Sequence, residues 1–531
     1  MVTAALPPRI FAFSPVGGSP IKANPTASTT KCVQSILHFP PLLTTFMRKY
    51  MDTPPPCQGN YRKNLHTQQM GLRTEGVHDA WGLLNEHLLA TTVTQRAASP
   101  CRLGDGARSS EVGTGVAWRN VVCYRWGVMR RPFVWVLLCV CLITGIAGAV
   151  YYQRIARFWG ITKTDFTVYY FAGWRILHSQ SMYATDDPEY LFKYAPPVGV
   201  AFTPLARLRI QHALWSWYAL TGIAFCIALA SVRSLLRRSA GVRELPLLGY
   251  ALLVLAILRP YLSNLRLGQI DVVLACLLLI AVMAAERGRP MLAGWCLAAT
   301  MICKLVPAVW LVYCAATRRW RVIGWTVIAM GAYLLLPIPT LGVAGTAHAL
   351  RDWWAITQTS GQNWEWLVRF KNQSVLSTVL RMLSGGSMEH LTPLMMATAL
   401  TVTVGLGLLY AAAVWRAITR PDARPGLGRL VPASLTMIAM VIFSPHAWKA
   451  TYIHLLLPYA VVVMHLLQQK STDRWGWVLL GGSFALVSVT APDVLLGRPL
   501  SHVIHTFSPM TWGAALLAAA VWRVQEVRAG R

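Results

Sequence analysis

The chain has 531 residues, of which 55% are hydrophobic and only 13% are charged. Soluble globular proteins carry about 25% charged residues, so repeated long apolar runs at about half that charge predict a polytopic membrane protein. The net charge of +29 does not indicate nucleic-acid binding, because beyond residue 128 the basic residues fall in short clusters between apolar runs, as the positive-inside rule places them.

Residues 1–128 differ from the rest of the chain. They are rich in Pro, Ser, Thr, Gly and Arg and contain no apolar run long enough to cross a bilayer. They are either a disordered cytoplasmic tail or an extension that does not belong to the working protein. The second interpretation is favoured because "MRRPFVWVLLCVCLITGIAGAVYY", starting at Met129, has the two arginines and apolar run of a membrane protein's natural start. Residues 129–531 are then predicted to form the transmembrane domain.

The charges of the flanking loops predict the direction in which each apolar run crosses the membrane. Arg130 and Arg131 place the start of the first run inside. The predicted spans are Phe133–Tyr152, Gln211–Val232, Pro246–Leu262, Ile270–Ala285, Val322–Pro339, Leu394–Trp415, Leu430–Phe443, Tyr452–Leu467, Trp477–Val489 and Thr511–Val521. Met291–Ala316 lies between two basic loops, so it is predicted to be two short helices in a hairpin. The result is an all-α fold of about ten to twelve spans in the inner (plasma) membrane, with both ends of the core cytoplasmic.

The loops predicted to lie outside, including a long one at Leu341–Thr392, are aromatic and hold most acidic residues of the membrane core. These are Asp165, Asp186, Asp187, Glu189, Asp352, Glu365, Glu389 and Asp493. A channel or carrier is expected to place ionisable groups near the bilayer midplane instead. Adjacent Asp186 and Asp187 precede a proline and suit a turn better than a metal site, so neither metal nor cofactor is predicted. The pattern favours a lipid-borne substrate whose head group lies at the outer boundary.

The first outer loop places Asp165 about a dozen residues after the first span. In "TDFTVYYFAGWRIL" the residues Tyr169, Phe171, Trp174 and Leu177 fit an amphipathic helix lying in the membrane interface. Asp165 is then either a functional carboxylate or the N-cap of this helix, since Asp is a favoured N-cap residue. The two roles do not exclude each other.

Two further motifs place polar side chains at the same boundary. "KYAPP" puts Lys193 and Tyr194 before two prolines that force an extended entry into the next apolar run. "NLRLGQID" is predicted to be a tight outer turn with Arg266, Gln269 and Asp271 at its rim. Its glycine allows close approach of a neighbour or a ligand.

More donors follow later in the chain. "CKLVP" puts Lys304 at the apex of the predicted hairpin, where it either snorkels outward or meets an anion. "KNQS" and "SPHAWKATY" add Asn372, Gln373, His446 and Lys449 at the same outer boundary.

These pieces suit sugar transfer from a lipid phosphate. The reaction needs a carboxylate that takes the proton of the attacking hydroxyl and fixed donors that stabilise the charge on the departing phosphate. Asp165 is the predicted base, and Lys304, Arg266 or Lys193 are the predicted phosphate ligands. Predicted substrate-binding residues are Tyr169, Tyr194, Gln269, Asp271, Asn372, Gln373, His446 and Lys449.

In chain order, "DFTVYYFAGWRILHSQSMYA", "FKYAPPVGVAFTPLARL", "LGQID", "KLVP", "KNQSV" and "FSPHAWKATY" resemble glycosyltransferase family 87. The resemblance covers about Phe133 to Leu467. It implies the GT-C fold of polyprenol-phosphate-mannose-dependent mannosyltransferases, a polyprenyl-phosphate sugar donor, a glycan or glycolipid acceptor, and inverting transfer on the outer face. It also implies that Asp165 is the carboxylate of the first outer loop. Two positions depart from the family pattern. Asp271 stands where Asn is expected after the Gly-Gln pair, and His446 varies the "SP-W" stretch. Each departure marks either a changed donor sugar or acceptor, or nothing.

Alternative functions remain open at this point. Within enzymes, the alternatives are another GT-C activity, such as glucose, arabinose or aminoarabinose transfer, or ligation of a whole glycan. Outside enzymes, the alternative is a lipid or solute transporter, which leaves the glycosidic bond intact.

Overall fold

A computed structural model describes residues 115–155, 164–183, 191–240, 245–361, 365–387, 390–420, 426–468, 473–490 and 493–529. These all lie in one compact unit, Ser109–Arg531. The prediction for residues 1–128 falls mainly outside the described residues, as do Asp186, Asp187, Glu189 and Glu389. The first described residues form a helix that starts at Gly115 and continues through Met129. The membrane-spanning part of this helix begins at Pro132.

The described residues form helices and short connections without any β-strand, so the all-α prediction is confirmed. The first helices are α1 Gly115–Arg154, α2 Asp165–Leu177, α3 Pro196–Ala201, α4 Thr203–Ala206, α5 Ile210–Ala240, α6 Leu247–Leu267, α7 Asp271–Glu286, α8 Pro290–Cys303, α9 Val309–Ala316 and α10 Trp320–Leu335. The later ones are α11 Ile338–Gly361, α12 Glu365–Val368, α13 Val375–Ser384, α14 Pro393–Thr419, α15 Val431–Ile442, α16 Leu456–Gln468, α17 Arg474–Phe484, α18 Asp493–Thr506 and α19 Pro509–Ala529. Short 3₁₀ segments occupy Val306–Ala308, Gly426–Leu430 and Lys449–Leu455, and a π-helical turn occupies Ala485–Val489.

Among the described residues, five helices are long and apolar enough to cross a membrane, and two bent pairs raise the number to as many as seven. The five are Pro132–Arg154, Ile210–Ser239, Leu247–Leu267, Pro393–Thr419 and Lys449–Gln468. The sequence count of ten to twelve is larger because it includes apolar runs that fold as shorter helices. One example is α7, which has 16 residues where about 20 are needed to span the hydrocarbon core.

The apolar run at Met291–Ala316 forms two short helices, as predicted. Helix α8 ends at Cys303, Lys304 is extended, and α9 begins at Val309 after a 3₁₀ turn. The break has a local cause, because Pro307 lacks the N–H that would bond to the carbonyl of Cys303 in a continuous helix.

The segment predicted as the long outer loop Leu341–Thr392 is largely helical, which corrects the prediction. Helix α10 bends by 92° into Ile338–Gln358, and α13 follows further along the chain. Pro337 and Pro339 lie at the bend, where each removes a backbone N–H donor.

Helix α2 was predicted to lie in the membrane interface, but it packs closely against the rest of the protein. Phe166, Tyr169 and Ile176 are buried in the core, whereas Leu177 at its end is exposed. A Cβ placed on Gly173 would lie 2.8 Å from the backbone of Phe202, so α2 contacts the following chain at backbone distance. This close packing fixes the direction of Asp165, the first residue of the helix.

Candidate active site

The turn after α6 docks directly on the start of α2. Gly268 has φ +67°, and a Cβ placed there would lie 2.5 Å from Cβ of Phe166. The indole Nε1 of Trp217 donates to the Gly268 carbonyl over 3.1 Å. The glycine therefore allows both the left-handed turn and the close approach, which together bring Gln269 to Asp165.

Asp165 is the first residue of α2 rather than its N-cap. Thr164 is the N-cap residue, with extended φ −116° and ψ 151°, and no side chain caps this end. The capping interpretation of Asp165 is therefore wrong. The side-chain amide of Gln269 instead donates a hydrogen bond to Oδ2 of Asp165, so this carboxylate faces the turn between α6 and α7.

Burial sets the acidity of Asp165. It raises the pKa of this carboxyl to about 6, an effect that the charge of Lys304 opposes and the charge of Asp271 supports. A carboxyl with a pKa near 6 is still mostly ionised at neutral pH and holds a proton better than an ordinary aspartate. That is the property expected of a general base.

Lys304 meets an anion of the protein itself. Its Nζ lies 2.7 Å from Oδ1 of Asp271, whose side chain is 1% exposed against 27% for the lysine. The other carboxylate oxygen of Asp271 is buried and has no hydrogen-bond partner in the described structure. Of the two alternatives for Lys304, the structure shows the contact with an anion, which is the Asp271 side chain, and the charge of the lysine acts on Asp165.

Two predicted tyrosines complete this group. The hydroxyls of Tyr169 and Tyr194 are 2.9 Å apart, and their ring centroids are separated by 5.1 Å. Burial raises the pKa of both phenols, so both are neutral donors at physiological pH, and Lys304 acts electrostatically on Tyr194. The structure thus brings six predicted site residues together, hereafter the Asp165 cluster: Asp165, Tyr169, Tyr194, Gln269, Asp271 and Lys304.

Two further basic side chains border the Asp165 cluster. Desolvation lowers the pKa of His446, and the charges of Lys193 and Lys304 lower it further. Desolvation also lowers the pKa of Lys193, whose Nζ lies 5.9 Å from the ring centroid of Trp366. His446 is therefore neutral at physiological pH, and the cations that act on it are the ammonium groups of Lys193 and Lys304.

Asn372 and Gln373, predicted to bind substrate, are buried and bonded to the protein. The Asn372 amide nitrogen donates to Pro445 O over 2.8 Å, and its Oδ1 accepts from Ala447 N over 3.0 Å. The Gln373 amide donates to His505 O over 3.0 Å. The Asn372 side chain holds the loop that carries His446, and the Gln373 side chain ties its own segment to His505. Contact of either side chain with substrate stays a prediction.

The remaining predicted residues, Arg266 and Lys449, lie at the ends of neighbouring elements. Arg266 is in the last turn of α6, where its charge acts on Tyr151 of the first span. Lys449 is half-buried at the start of the 3₁₀ segment Lys449–Leu455. Their contact with substrate stays a prediction.

Sequence reasoning missed two buried polar residues behind the Asp165 cluster. The Asn264 amide donates to Pro260 O over 2.9 Å and Ala450 O over 3.0 Å, which ties α6 to the 3₁₀ segment. His454 is 5% exposed, and the charges of Asp271 and Lys304 both act on it. His454 lies in the apolar run "YIHLLLP", which gave no signal beyond a core helix.

In the part of the chain that the structure describes, no three His, Cys, Asp or Glu side chains are grouped so that they could hold a metal ion. The donors of the Asp165 cluster are amide, hydroxyl and ammonium groups beside carboxylates. That donor set suits an acid–base reaction on an anionic substrate.

A multi-pass helical membrane protein with a carboxylate of raised pKa beside a fixed lysine fits a membrane-bound transferase, and the comparisons identify the kind. Residues 192–445 match the model of Glycosyltransferase family 87. A curated relative is the polyprenol-phosphate-mannose-dependent alpha-(1-2)-phosphatidylinositol pentamannoside mannosyltransferase of Mycolicibacterium smegmatis (strain ATCC 700084 / mc(2)155). It is 26% identical over 354 residues, which cover 62% of this chain and 79% of the relative. The chain is a membrane glycosyltransferase, and its residues 192–445 resemble glycosyltransferase family 87.

One solved structure is similar at a greater distance. ArnT from Cupriavidus metallidurans, bound to undecaprenyl phosphate, is 16% identical with a TM-score of 0.30. The match covers 74% of this chain and 78% of that one.

The turn at Gly268 gives a first testable prediction. Gly268→Ala should lower the stability of the protein by about 1–3 kcal/mol more than Gly288→Ala, because the new Cβ overlaps Phe166 in a packed region. Gly288 is a matched control, since its φ is also +67° but nothing lies within 4 Å of its Cβ position. Thermal unfolding of both variants in detergent measures the difference, and equal unfolding temperatures would contradict the close contact.

Proposed function

We propose that this chain transfers a hexose, mannose in the first instance, from a polyprenyl monophosphate to a hydroxyl of a glycan or glycolipid acceptor. The reaction takes place on the outer face of the inner membrane and inverts the anomeric centre. The family and the named activity of the curated relative support the donor. The observation that carries the proposal is the Asp165 carboxylate, hydrogen-bonded by Gln269 and acted on by the charge of Lys304.

Asp165 acts as the general base in this proposal. The acceptor oxygen bonds to the anomeric carbon while its proton passes to the Asp165 carboxylate. The bond between the anomeric carbon and the phosphate oxygen breaks, and its electron pair leaves with polyprenyl phosphate. One displacement from the face opposite the leaving group inverts the configuration. Burial, which raises the pKa of Asp165 to about 6, makes it a stronger base than an ordinary aspartate.

Lys304 stabilises the departing phosphate. The donor phosphodiester has one negative charge and the product phosphate approaches two, so a fixed cation interacts more strongly with the transition state than with the bound donor. The 2.7 Å pair with Asp271 fixes the lysine in place and leaves its remaining N–H donors for the phosphate. Lys193 supplies further positive charge, and His446, whose pKa is lowered by desolvation and by the charges of Lys193 and Lys304, is a neutral hydrogen-bond donor at physiological pH.

A doubly labelled donor tests this proposal. Purified protein in detergent is given polyprenyl-phosphate mannose with separate labels on the sugar and on the phosphate, together with a membrane glycolipid extract. The expected result is sugar in the acceptor fraction and an equal amount of free polyprenyl phosphate. Parallel reactions with glucose, arabinose and aminoarabinose donors compare the alternative sugars. An intact donor that crosses a reconstituted vesicle would contradict the proposal and support a transporter.

The acidity of Asp165 gives a pH prediction. Turnover should rise with pH through a midpoint near 6, because burial raises the pKa of this carboxyl to about 6 and only the ionised form accepts a proton.

The same group should stabilise the fold most at low pH. The folded protein binds the proton more tightly than the unfolded chain, so stability falls as the pH rises from about 4 towards 6. Turnover and unfolding measured between pH 4.5 and 8 check both signs, and a rate independent of pH would contradict Asp165 as the base.

A further inference from the structure

A polar cavity of about 380 Å³ opens at the C-terminal ends of α5 and α7. Its lining residues, hereafter the arginine pocket, are Ala230, Arg233, Ser234, Arg237, Arg238 and Arg287. These described lining residues include four with guanidinium groups and none with a carboxylate. Its volume falls in the range of small-molecule sites.

The arginine pocket lies at the opposite end of the molecule from the Asp165 cluster. On α5, Trp217 contacts the Gly268 turn, and Arg237 follows about 30 Å further along the helix. On α7, Asp271 begins the helix, and Arg287, which follows its last residue, is about 24 Å away. These distances approach the thickness of the hydrocarbon core, so the pocket lies on the face predicted to be cytoplasmic.

Protein contacts hold two of the guanidinium groups in place. Nη2 of Arg287 donates to the hydroxyl of Ser234 over 2.6 Å, which links the ends of α7 and α5. The guanidinium of Arg233 lies 4.5 Å from the ring centroid of Phe133, at the start of the first span. Loop arginines that serve only the positive-inside rule need no such fixed arrangement around a shared space.

Apolar surface continues from the arginine pocket. Ile227 lies one turn before Ala230 on the same face of α5 and is 43% exposed. A ligand with both a phosphate and acyl chains fits this combination better than a free anion does. Guanidinium forks match phosphate oxygens, and basic pockets between membrane helices are suited to lipid head groups.

We propose that the arginine pocket binds the phosphate of an anionic phospholipid head group, whose acyl chains lie against the exposed apolar residues of α5. This site is separate from the Asp165 cluster and does not depend on the function proposed above. The phosphate accepts from the guanidinium groups of Arg237, Arg238 and Arg287.

Native mass spectrometry of the full chain tests this proposal. Purified protein receives equal amounts of phosphatidylglycerol and phosphatidylcholine, and the retained adducts are counted. The expected result is selective retention of phosphatidylglycerol, which weakens about tenfold or more in the double variant Arg237→Gln/Arg287→Gln because charge-assisted hydrogen bonds are lost. The control variant Arg321→Gln/Arg416→Gln removes two exposed arginines predicted on the same face and should retain the lipid.

Three results would overturn the proposal. Equal loss of lipid from the pocket variant and the control variant would reduce the effect to the general charge of this face. Equal retention of phosphatidylcholine would show that the pocket does not select lipids by the net charge of the head group. An unfolding temperature raised as much by inorganic phosphate as by phosphatidylglycerol would assign the pocket to a soluble anion. An unchanged unfolding temperature of the pocket variant without added lipid verifies that it is folded.

Discussion

Asp165→Asn should reduce turnover by about 100- to 10,000-fold, the range that general-base catalysis contributes. The substitution keeps the size of the side chain, and an asparagine can still accept a hydrogen bond from the Gln269 amide. It removes only the group that takes the proton. Donor binding should persist, so the loss should appear in kcat with little change in KM.

The structure sharpens this prediction because Asp165 does not cap its helix. A loss of turnover therefore cannot be attributed to a lost cap, and the unfolding temperature should not fall. Asp352→Asn is a matched control, since it removes an exposed carboxylate from α11. Near-normal turnover in Asp165→Asn, or an equal effect in both variants, would end the catalytic assignment.

Lys304→Met should have the second large effect, on both stability and donor binding. It leaves the Asp271 carboxylate, 1% exposed, without its partner, and an uncompensated buried charge costs about 3–5 kcal/mol. It also removes the cation proposed to bind the phosphate, so KM for the donor should rise while kcat falls by about 100- to 1,000-fold. Thermal unfolding and steady-state kinetics measure the two effects separately.

The double variant Lys304→Met/Asp271→Asn separates the two roles of the lysine. Removal of the orphaned carboxylate should restore most of the stability but leave donor binding weak. Asp271→Asn alone keeps the lysine charge and should retain donor binding, which makes it the control. Activity that returns together with stability in the double variant would show that Lys304 serves only the ion pair.

The sequence predicted the composition of the Asp165 cluster well, because its members sit at the ends of apolar runs that loop charges place on one face. Gln269 and Asp271 flank the same helix boundary, and Lys304 lies at the break before Pro307. Membrane topology alone therefore brings them to one depth. Their pairing was not predictable, since the Lys304–Asp271 contact depends on how α7 and α8 pack against each other.

Some motif residues make structural contacts that a single sequence does not reveal. Asn372 and Gln373 were predicted to bind substrate, and in the structure their side chains also bond to backbone groups of distant segments at Pro445 and His505. Helix lengths were not predictable for a similar reason. Hydropathy marks the apolar run that forms α7 but does not reveal that its helix has only 16 residues.

The geometry of a bound donor tests the central claim most directly. Asp165→Asn, expected to bind donor without turning it over, is suited to cryo-electron microscopy with polyprenyl-phosphate mannose. The proposed function predicts a donor phosphate oxygen within about 3.5 Å of the Lys304 ammonium. It also predicts that the anomeric carbon faces the residue 165 side chain across a gap that fits one acceptor hydroxyl. A phosphate bound away from Lys304, or a sugar whose anomeric carbon faces away from position 165, would contradict the assignment of Asp165 as the base.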